Sequence, residues 1–345
     1  MTGPAQAAEI WWPLALLVVA AAAAISAGLI VVLLPALRRH ALARPNVRSS
    51  HVEPTPQGGG IAVVVATAIV ALATVTLTAP PSERVQLAWV LGAAAFIAAV
   101  GAVDDMRPMP VLPRLLLQAL AVAVTIAALP AQLRIVPALP WVFERALLAL
   151  AALWFVNLAN FMDGIDWLTV AEAVPVTAGL VTLGWLGALP PAAVVAALAL
   201  LGAIIGFAPF NRPVARLFLG DVGSLPIGLL LAWLLIMLAL HGHAAAALLL
   251  PLYYLADASL TLARRLVAGE RVWQPHRTHF YQRATDGGFS VSEIVGRVFA
   301  VNLVLAALAI LSVAMPGRWV AAATLAVGAA LVAWLLRAFA RGSRR

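Results

Sequence analysis

Residues 191–209 read PAAVVAALALLGAIIGFAP, a stretch without a single charged side chain. A helix needs about 20 mostly apolar residues to cross the hydrocarbon layer of a bilayer. Similar stretches recur along the chain, at roughly 11–35, 60–79, 86–103, 111–129, 142–157, 167–187, 191–209, 224–240, 244–263, 298–315 and 319–339. The pattern predicts an all-α fold, a polytopic integral membrane helix bundle with ten or eleven transmembrane helices.

The composition of the whole chain supports the same interpretation. Of 345 residues, 64% are hydrophobic and only 10% are charged. A soluble domain carries about 25% charged residues, so a soluble enzyme and a disordered chain are both excluded. Cysteine is absent, which excludes disulfides and thiolate metal sites. We expect residues 1–345 to form a single transmembrane catalytic domain.

The net charge of +8 comes from arginine alone, since the chain has no lysine. Arginines flank alternate joins between the apolar runs, and positive residues accumulate on the cytoplasmic side of membrane proteins. The charge therefore indicates orientation and not nucleic-acid binding, with the N-terminus outside and the C-terminus inside. The predicted cytoplasmic segments lie near 36–59, 104–110, 158–166, 208–223 and 264–297.

The carboxylates at the cytoplasmic ends of the predicted spans are the first candidates for chemistry. A single acid at a span end is often a solvated cap, but a set confined to one membrane side indicates a site. Carboxylate and amide oxygens suit Mg²⁺ that is shared with substrate phosphates, with Mn²⁺ as an alternative. The set comprises Asp104, Asp105, Asp163, Asp166 and Asp221.

Spacing adds detail around residue 160. Four polar residues recur at every third position: Asn157, Asn160, Asp163 and Asp166. On a helix such neighbours share a face, although the face drifts because a turn holds about 3.6 residues. Asn160 and Asp163 are therefore expected to cooperate, while Asn157 and Asp166 diverge. Gly164 and Gly220 are expected to leave room for a ligand beside the backbone.

Two further polar segments leave alternatives open. Residues 273–283 read WQPHRTHFYQR. The arginines and histidines of this segment either bind phosphate or sugar groups or belong to a solvated basic loop without a ligand. The three glycines at 58–60 either present backbone N–H groups to an anion or form a flexible joint. Asp257 lies inside an apolar run, where we expect a structural pairing with an arginine.

Five sequence segments, taken together and in order, resemble those of the polyprenyl-phosphate sugar-1-phosphate transferases of glycosyltransferase 4 type. This group includes undecaprenyl-phosphate N-acetylhexosaminyl-1-phosphate transferases and is related to the lipid I translocase. The middle three segments together are highly specific. The segments are Pro45-Asn46 through Pro54-Thr55-Pro56-Gln57-Gly58-Gly59-Gly60, Asp104-Asp105, Asn160-Phe161-Met162-Asp163-Gly164-Ile165-Asp166, Phe218-Leu219-Gly220-Asp221-Val222-Gly223-Ser224, and His276 to Arg283.

The resemblance implies a Mg²⁺-dependent enzyme of the bacterial cytoplasmic (inner) membrane, with its site facing the cytoplasm. Its substrates would be a UDP-sugar and undecaprenyl phosphate, and its products a lipid-diphosphate sugar and UMP. This would be the first membrane step of O-antigen or other cell-envelope glycan synthesis. Relatives also suggest a homodimer.

The same resemblance implies roles for individual residues. Asp221 would be a metal ligand, with Asn160 as a second. Asp104 and Asp105 would handle the lipid phosphate, as base or as electrostatic organisers. The remaining candidates, catalytic or substrate-binding, are Asp163, Gly164 and Asp166 beside the nucleoside, Phe218 under the uracil, His276, Arg277 and His279 at the diphosphate or sugar, and also His51, Asn157 and Arg283.

The chain departs from the family pattern at three places. Trp167 stands where relatives commonly have glycine, His276-Arg277 where many have Asp-Arg, and His279-Phe280-Tyr281-Gln282 where many have His-x-His-His. The chain therefore resembles O-antigen-type transferases, with N-acetylated hexosamine or deoxyhexosamine donors, more than the lipid I translocase. Two other functions remain open: a transporter of an anionic solute and a lipid-diphosphate phosphohydrolase.

Overall fold

The computed structural model describes residues 4–43, 54–271 and 276–343, with side chains from residue 12 onward. Within these residues the fold is almost entirely helical. The helices are α1 (Pro4–His40), α2 (Gly60–Thr78), α3 (Pro81–Met106), α4 (Val111–Ala127), α5 (Trp141–Met162), α6 (Leu168–Trp185), α7 (Pro191–Phe207), α8 (Asp221–Leu240), α9 (Ala244–Leu249), α10 (Leu252–Val267), α11 (Phe280–Asp286), α12 (Val291–Ala314) and α13 (Arg318–Arg341). A short 3-10 helix covers Ala208–Phe210, and two strands, β1 (Leu42–Ala43) and β2 (Thr55–Pro56), form a small antiparallel sheet.

Nine of the described helices are long and apolar enough to cross a membrane. Helix α4, with 17 residues, is slightly shorter, and α9 and α10 together cover one further apolar run. These elements correspond to the eleven predicted runs, and the chain is a multi-pass, all-α membrane bundle. The prediction of a continuous span over 244–263 is wrong in detail. The helix is interrupted between Leu249 and Leu252, because Pro251 lacks the N–H that a helix interior needs.

Two predicted boundaries also differ from the structure. The run at 86–103 belongs to a helix that continues to Met106, and the run at 142–157 to one that continues to Met162. Asp104, Asp105 and Asn160 are consequently helical residues and do not lie in loops. Their side chains are held by rigid elements, which fixes the geometry of the site.

Helix α8 is the centre of the bundle and is buried along almost its whole length. It packs mainly against α3 and α5. By contrast, α1 presents large apolar side chains to the outside, such as Leu16 and Val32, which are 68% and 73% exposed. Such a surface would be unstable in water, but in lipid it is the expected exterior of the bundle.

Glycine permits a direct contact between the backbones of two helices. A Cβ atom on Gly60 of α2 would lie 2.1 Å from the Cα of Gly223 in α8. No side chain fits in that space, so the two backbones touch directly. This contact fixes the N-terminal ends of α2 and α8 at the same end of the bundle.

One end of the bundle collects the C-terminal ends of α3, α5, α10 and α13 and the N-terminal ends of α2, α8 and α12. We call this end the acidic face, because Asp104, Asp163 and Asp221 lie there. Helix α11 lies at the same end, and the backbone N–H of Ser343, just after α13, donates to the carbonyl of Gly287 at 2.8 Å. The predicted alternation of the spans, with the C-terminal helix ending beside the candidate site, agrees with this arrangement.

Candidate active site

Three helices bring their polar residues together at the centre of the acidic face. The Asn160 side-chain amide, in the last turn of α5, donates to the carboxylate of Asp221 at 2.7 Å and to the hydroxyl of Ser224 at 2.9 Å. The carboxyl group of Asp104, in the last turn of α3, is a hydrogen-bonding neighbour of Asp221. We call Asp104, Asn160 and Asp221 the acidic cluster; the predicted convergence of these side chains is what the structure shows.

Asp104 has a cationic partner as well. The guanidinium of Arg114, in the first turn of α4, lies 2.7 Å from one carboxylate oxygen of Asp104. The other oxygen accepts from the backbone N–H of Met109 at 2.5 Å. Arg114 is partly exposed, so a positive charge borders the acidic cluster where an anionic ligand can reach it. In the sequence, Arg114 is only one of the arginines that flank the joins and indicate orientation.

Asp105 has a different role from its neighbour. Its two carboxylate oxygens accept from the backbone N–H groups of Asp221 and Val222, at 3.0 and 3.1 Å. These N–H groups lie in the first turn of α8, where they have no partner within the helix, and Asp105 accepts from them. Its negative charge also interacts favourably with the positive end of the helix dipole. Of the two roles predicted for Asp105, the geometry favours the organiser over the base.

The space beside Gly220 is therefore not open to a ligand. A Cβ atom on this residue would lie 2.6 Å from a carboxylate oxygen of Asp105, and its backbone has φ +76°. Glycine is needed here so that Asp105 can reach the end of α8. The expectation of room for a ligand at this position is wrong, because the side chain of Asp105 fills it.

The glycine run at 58–60 is also fully engaged. The N–H groups of Gly58 and Gly59 donate to the carbonyl of Phe218, and that of Gly60 to the carbonyl of Leu219. No donor is left for an anion, and the direct contact of Gly60 with Gly223 leaves no freedom for a joint. Neither of the alternatives from the sequence fits. The run joins the first segment to the fourth by backbone pairing and close packing.

Asp163 follows the last residue of α5 and lies in a partly buried recess. It accepts a hydrogen bond from the hydroxyl of Thr169 at 2.5 Å. Burial, reinforced by the neighbouring carboxylates of Asp105 and Asp166, raises the pKa of Asp163 from its ordinary 3.8 to about 6. A carboxyl group with such a pKa can gain or lose a proton near neutral pH, as a general base must.

Asp166 is almost fully buried and supports the fourth segment. Its carboxylate accepts from the backbone N–H of Ala215 at 2.9 Å. The next residue, Trp167, has φ +62°, a left-handed conformation that suits the glycine common in the family. Its indole N–H donates to the carbonyl of Ala208 at 2.6 Å, and its backbone N–H to Asn211 at 2.8 Å. Sequence reasoning missed Asn211, which no motif distinguishes.

Asn157 does not join the acidic cluster. Its side-chain amide donates to Gln118 of α4 at 2.9 Å and to the carbonyl of Leu153 at 2.8 Å. It points away from Asp221 as the drift of the helical face predicted. Phe218, by comparison, has its backbone paired with the first segment while the residue itself is only half-buried.

The fifth segment is anchored by Asp257 of α10, which is completely buried. We expected an arginine partner, but the carboxylate instead caps the N-terminus of α11 and holds the ring of His279. It has five donors: the backbone N–H groups of Phe280 (2.9 Å) and Tyr281 (3.2 Å), the hydroxyls of Tyr253 (3.2 Å) and Thr261 (3.4 Å), and Nδ1 of His279 (3.3 Å). The structural role expected for Asp257 is present with different partners.

Tyr281 joins the fifth segment to the third. Its hydroxyl donates to the carbonyl of Phe161 at 3.0 Å, and burial raises its pKa well above the ordinary value. A Cβ atom on Gly164 would lie 2.0 Å from that hydroxyl. The room expected beside Gly164 for a ligand is therefore occupied by Tyr281. Nothing in the sequence indicated this contact.

The histidines and arginines predicted to bind ligand in the fifth segment differ in accessibility. His276 stacks on His279, with ring centroids 4.8 Å apart, and His279 itself is buried. Arg277 forms an ion pair with Asp286 at 3.3 Å, and Arg283 is exposed. His51, the remaining candidate, lies outside the described residues.

The described residues contain no group of three or more histidine, aspartate or glutamate side chains placed to enclose a metal ion. The acidic cluster instead offers two neighbouring carboxylates and one amide. This set fits Mg²⁺, which is usually bound through one or two carboxylates and keeps water and substrate phosphates as its other ligands. It does not fit zinc, which takes histidine and cysteine.

Comparison with known proteins identifies related sequences. The model of the family described as "Glycosyl transferase family 4" matches residues 87–239. The decaprenyl-phosphate N-acetylglucosaminephosphotransferase of Mycobacterium leprae is 30% identical over 312 residues, which cover 78% of this chain and 76% of that protein. A probable undecaprenyl-phosphate N-acetylglucosaminyl 1-phosphate transferase of Bacillus subtilis is 24% identical, over 81% of this chain and 83% of that protein. The phospho-N-acetylmuramoyl-pentapeptide-transferase of Limosilactobacillus reuteri is 30% identical over 47% of this chain and 51% of that protein.

Proposed function

The chain belongs to glycosyl transferase family 4, and on that premise we propose that it transfers a sugar-1-phosphate from a UDP-sugar to undecaprenyl phosphate. The products are a lipid-diphosphate sugar and UMP. The observation that carries the proposal is the acidic cluster, where Asp104, Asn160 and Asp221 meet at the end of a membrane bundle. A lipid phosphate can reach this position while its prenyl chain stays in the bilayer.

The reaction forms one P–O bond and breaks another. An oxygen of the lipid phosphate attacks the sugar-linked phosphorus of the donor, and the bond from that phosphorus to the bridging oxygen breaks, so that UMP leaves. Such a transfer depends mainly on positioning and on charge stabilisation. The chain's own residues must therefore hold two anionic reactants close together.

The acidic cluster and Arg114 supply that electrostatic environment. Asp221 and Asp104 would hold Mg²⁺ or Mn²⁺ with Asn160 as a further ligand, and a bound cation neutralises phosphate charge there. Arg114, paired with Asp104 at 2.7 Å, can turn to a phosphate oxygen, because its guanidinium fork matches both kinds of oxyanion. Asp105 keeps the N-terminus of α8, and with it Asp221, in place.

Asp163 is the candidate general base. Its pKa of about 6 leaves it mostly ionised at neutral pH and still able to accept a proton from a lipid phosphate that binds in its protonated form. The hydrogen bond from Thr169 fixes the carboxylate. Asp166 and Trp167 bind the backbone segment that precedes Phe218, and the uracil would stack on the Phe218 ring.

The donor, the membrane side and the assembly are part of the same proposal. The relatives from Mycobacterium leprae and Bacillus subtilis are named for the transfer of N-acetylglucosamine phosphate, which supports an N-acetylated hexosamine or deoxyhexosamine donor. The arginine distribution supports an acidic face that lies in the cytoplasm of a bacterial inner membrane, with the N-terminus outside. We propose that the reaction is the first membrane step in the synthesis of O-antigen or another envelope glycan. We also propose that the protein acts as a homodimer.

The test uses purified protein in detergent with undecaprenyl phosphate and a panel of UDP-sugars. We expect UMP release only when both substrates and Mg²⁺ are present, and a lipid product whose mass gives the sugar. Asp221→Asn, checked for folding, serves as the inactive control. Release of inorganic phosphate from a lipid diphosphate would instead indicate a phosphohydrolase, and solute uptake without a covalent product would indicate a transporter.

A further inference from the structure

A second polar contact lies deep in the bundle, away from the acidic cluster. Glu172 of α6 and Asn302 of α12 are each only 1% exposed. The side-chain amide of Asn302 donates to one carboxyl oxygen of Glu172 at 2.7 Å and to the carbonyl of Ala171 at 3.0 Å. These bonds join two membrane-spanning helices. The proposed transfer reaction does not use either residue.

Two oxygen atoms at this contact have no hydrogen-bond donor among the described residues. Oε1 of Glu172 and Oδ1 of Asn302 are both buried, and neither has a hydrogen-bond partner among the described residues. Turning the Asn302 amide over would not help, because its nitrogen already donates to two oxygens. An ionised Glu172 would have only neutral donors, the Asn302 amide and the Tyr254 backbone N–H, and Oδ1 of Asn302 would still have no donor, which is costly for buried groups. In the described part of the chain no arginine or histidine forms an ion pair with Glu172.

A single proton on Glu172 would provide both oxygen atoms with a hydrogen bond. We propose that Glu172 is a protonated carboxylic acid that forms a neutral, two-bond pair with Asn302, and that this pair positions α6 and the break between α9 and α10. The Glu172 hydroxyl donates to Oδ1 of Asn302, while the Asn302 amide donates back to the other carboxyl oxygen. Every polar atom of the pair then has a partner, as the interior of a membrane requires.

The position of the pair explains why it matters. Thr169, one helical turn before Glu172, donates to Asp163 at 2.5 Å and accepts from the hydroxyl of Tyr254 at 3.4 Å. Tyr254 belongs to the first turn of α10, and its backbone N–H faces the Glu172 carboxyl group. Tyr253 is a further titratable neighbour from the same turn. The pair thus stands where α6, α10 and α12 meet.

The first test compares four variants by thermal unfolding in one detergent. Glu172→Gln should keep the Tm, because an amide makes the same two bonds with Asn302. Glu172→Ala and Asn302→Ala should each lower the Tm by at least about 2 °C, since each leaves a buried group without a partner. The double variant Glu172→Gln with Asn302→Asp can keep the acid–amide pair but loses the second donor, the one to the Ala171 carbonyl, so its Tm should lie between those of the wild type and the alanine variants.

The second measurement is independent of activity and of the proposed reaction. The infrared difference spectrum of wild type minus Glu172→Gln at neutral pH should contain the C=O band of a protonated carboxyl group, shifted in D₂O. A carboxylate band in its place would overturn the proposal and indicate a bound cation or water. A Glu172→Gln variant as unstable as Glu172→Ala would overturn it as well. If neither alanine variant folds, the Glu172→Gln spectrum and Tm still decide the matter.

Discussion

The two ends of the bundle use their carboxylates differently. At the end opposite the acidic face, Glu144 accepts from the backbone N–H groups of Ile135 and Val136, at 2.6 and 3.0 Å, and forms an ion pair with Arg134. At the acidic face, Asp221 has a second carboxyl group, Asp104, as its neighbour. The first arrangement is electrostatically satisfied by the protein alone. In the second, Arg114 offsets only one of the two carboxylates and Asp221 has the neutral Asn160 amide as its donor, so this pair calls for a further positive charge.

The same contrast separates the acids within the acidic face. Asp105 and Asp257 resemble Glu144, since backbone N–H groups at helix N-termini bind their oxygens. Asp104 and Asp221 lie against each other. A carboxylate saturated by backbone donors supports the fold, and a carboxylate beside another carboxylate is available for a cation. The predictions below test this distinction, from the largest expected effect to the smallest.

Asp221→Asn should lower kcat by about 100-fold or more, because the cluster loses one of its two negative charges. The Tm should stay near that of the wild type. The matched variant at the opposite end is Glu144→Gln, which should lower the Tm and leave kcat per folded molecule unchanged. Both are measured by UMP release and thermal unfolding. A large loss of kcat in Glu144→Gln would remove the contrast between the two ends.

Asp105→Asn should lower both Tm and kcat, the latter by about 10-fold. An amide accepts well from only one of the two N–H groups at the start of α8, so Asp221 loses part of its support. Full stability with complete loss of turnover would show instead that Asp105 acts as a base.

The pH dependence of stability reports on Asp163. Its folded pKa of about 6 exceeds the ordinary 3.8, so the folded state binds this proton more tightly than the unfolded chain does. Stability should therefore fall as the pH rises between these two values. The difference in Tm between wild type and Asp163→Asn, recorded across this range, isolates the group. Thr169→Val should raise the pH at which the loss of stability ends, because the hydrogen bond from the Thr169 hydroxyl lowers the pKa of Asp163. An unchanged dependence of stability on pH would contradict the assignment of this effect to Asp163.

Trp167 should give the smallest effect. Trp167→Gly relieves the left-handed backbone, at φ +62°, but loses the indole bond to Ala208, so its Tm should change by no more than about 2–4 °C. Trp167→Phe loses the bond and keeps the backbone conformation, and should be less stable than Trp167→Gly. The opposite order would show that packing of the indole, and not strain, dominates at this position.

The positions of the helices could be predicted from the sequence, because lipid imposes a minimum apolar length on each membrane-spanning helix. The sequence also predicted that the five carboxylates lie on one membrane side, since alternate joins share a side, and the resemblance placed Asn160 with Asp221; Asp104, Asn160 and Asp221 are the residues that meet. The interruption at Pro251 was missed, because the residues on both sides continue the apolar run.

The roles of Asp105, Asp166 and Gly164 could not be predicted in the same way. Their partners are Asp221 N–H, Ala215 N–H and the Tyr281 hydroxyl, which lie far away along the chain. No composition or spacing encodes such contacts. Glycine and aspartate beside a site look the same in sequence whether they face a ligand or another segment of the protein.

The interruption at Pro251 has a consequence for biogenesis. Helix α9 has 6 residues and extends only about 9 Å at 1.5 Å per residue, far too little to cross the bilayer by itself. The backbone groups around the break need protein neighbours in place of lipid, and these include Glu172 from α6, held in turn by Asn302 from α12. Helix α10 packs against α12 and α13 as well as α5, so its full set of protein neighbours exists only once the last two helices have been synthesised.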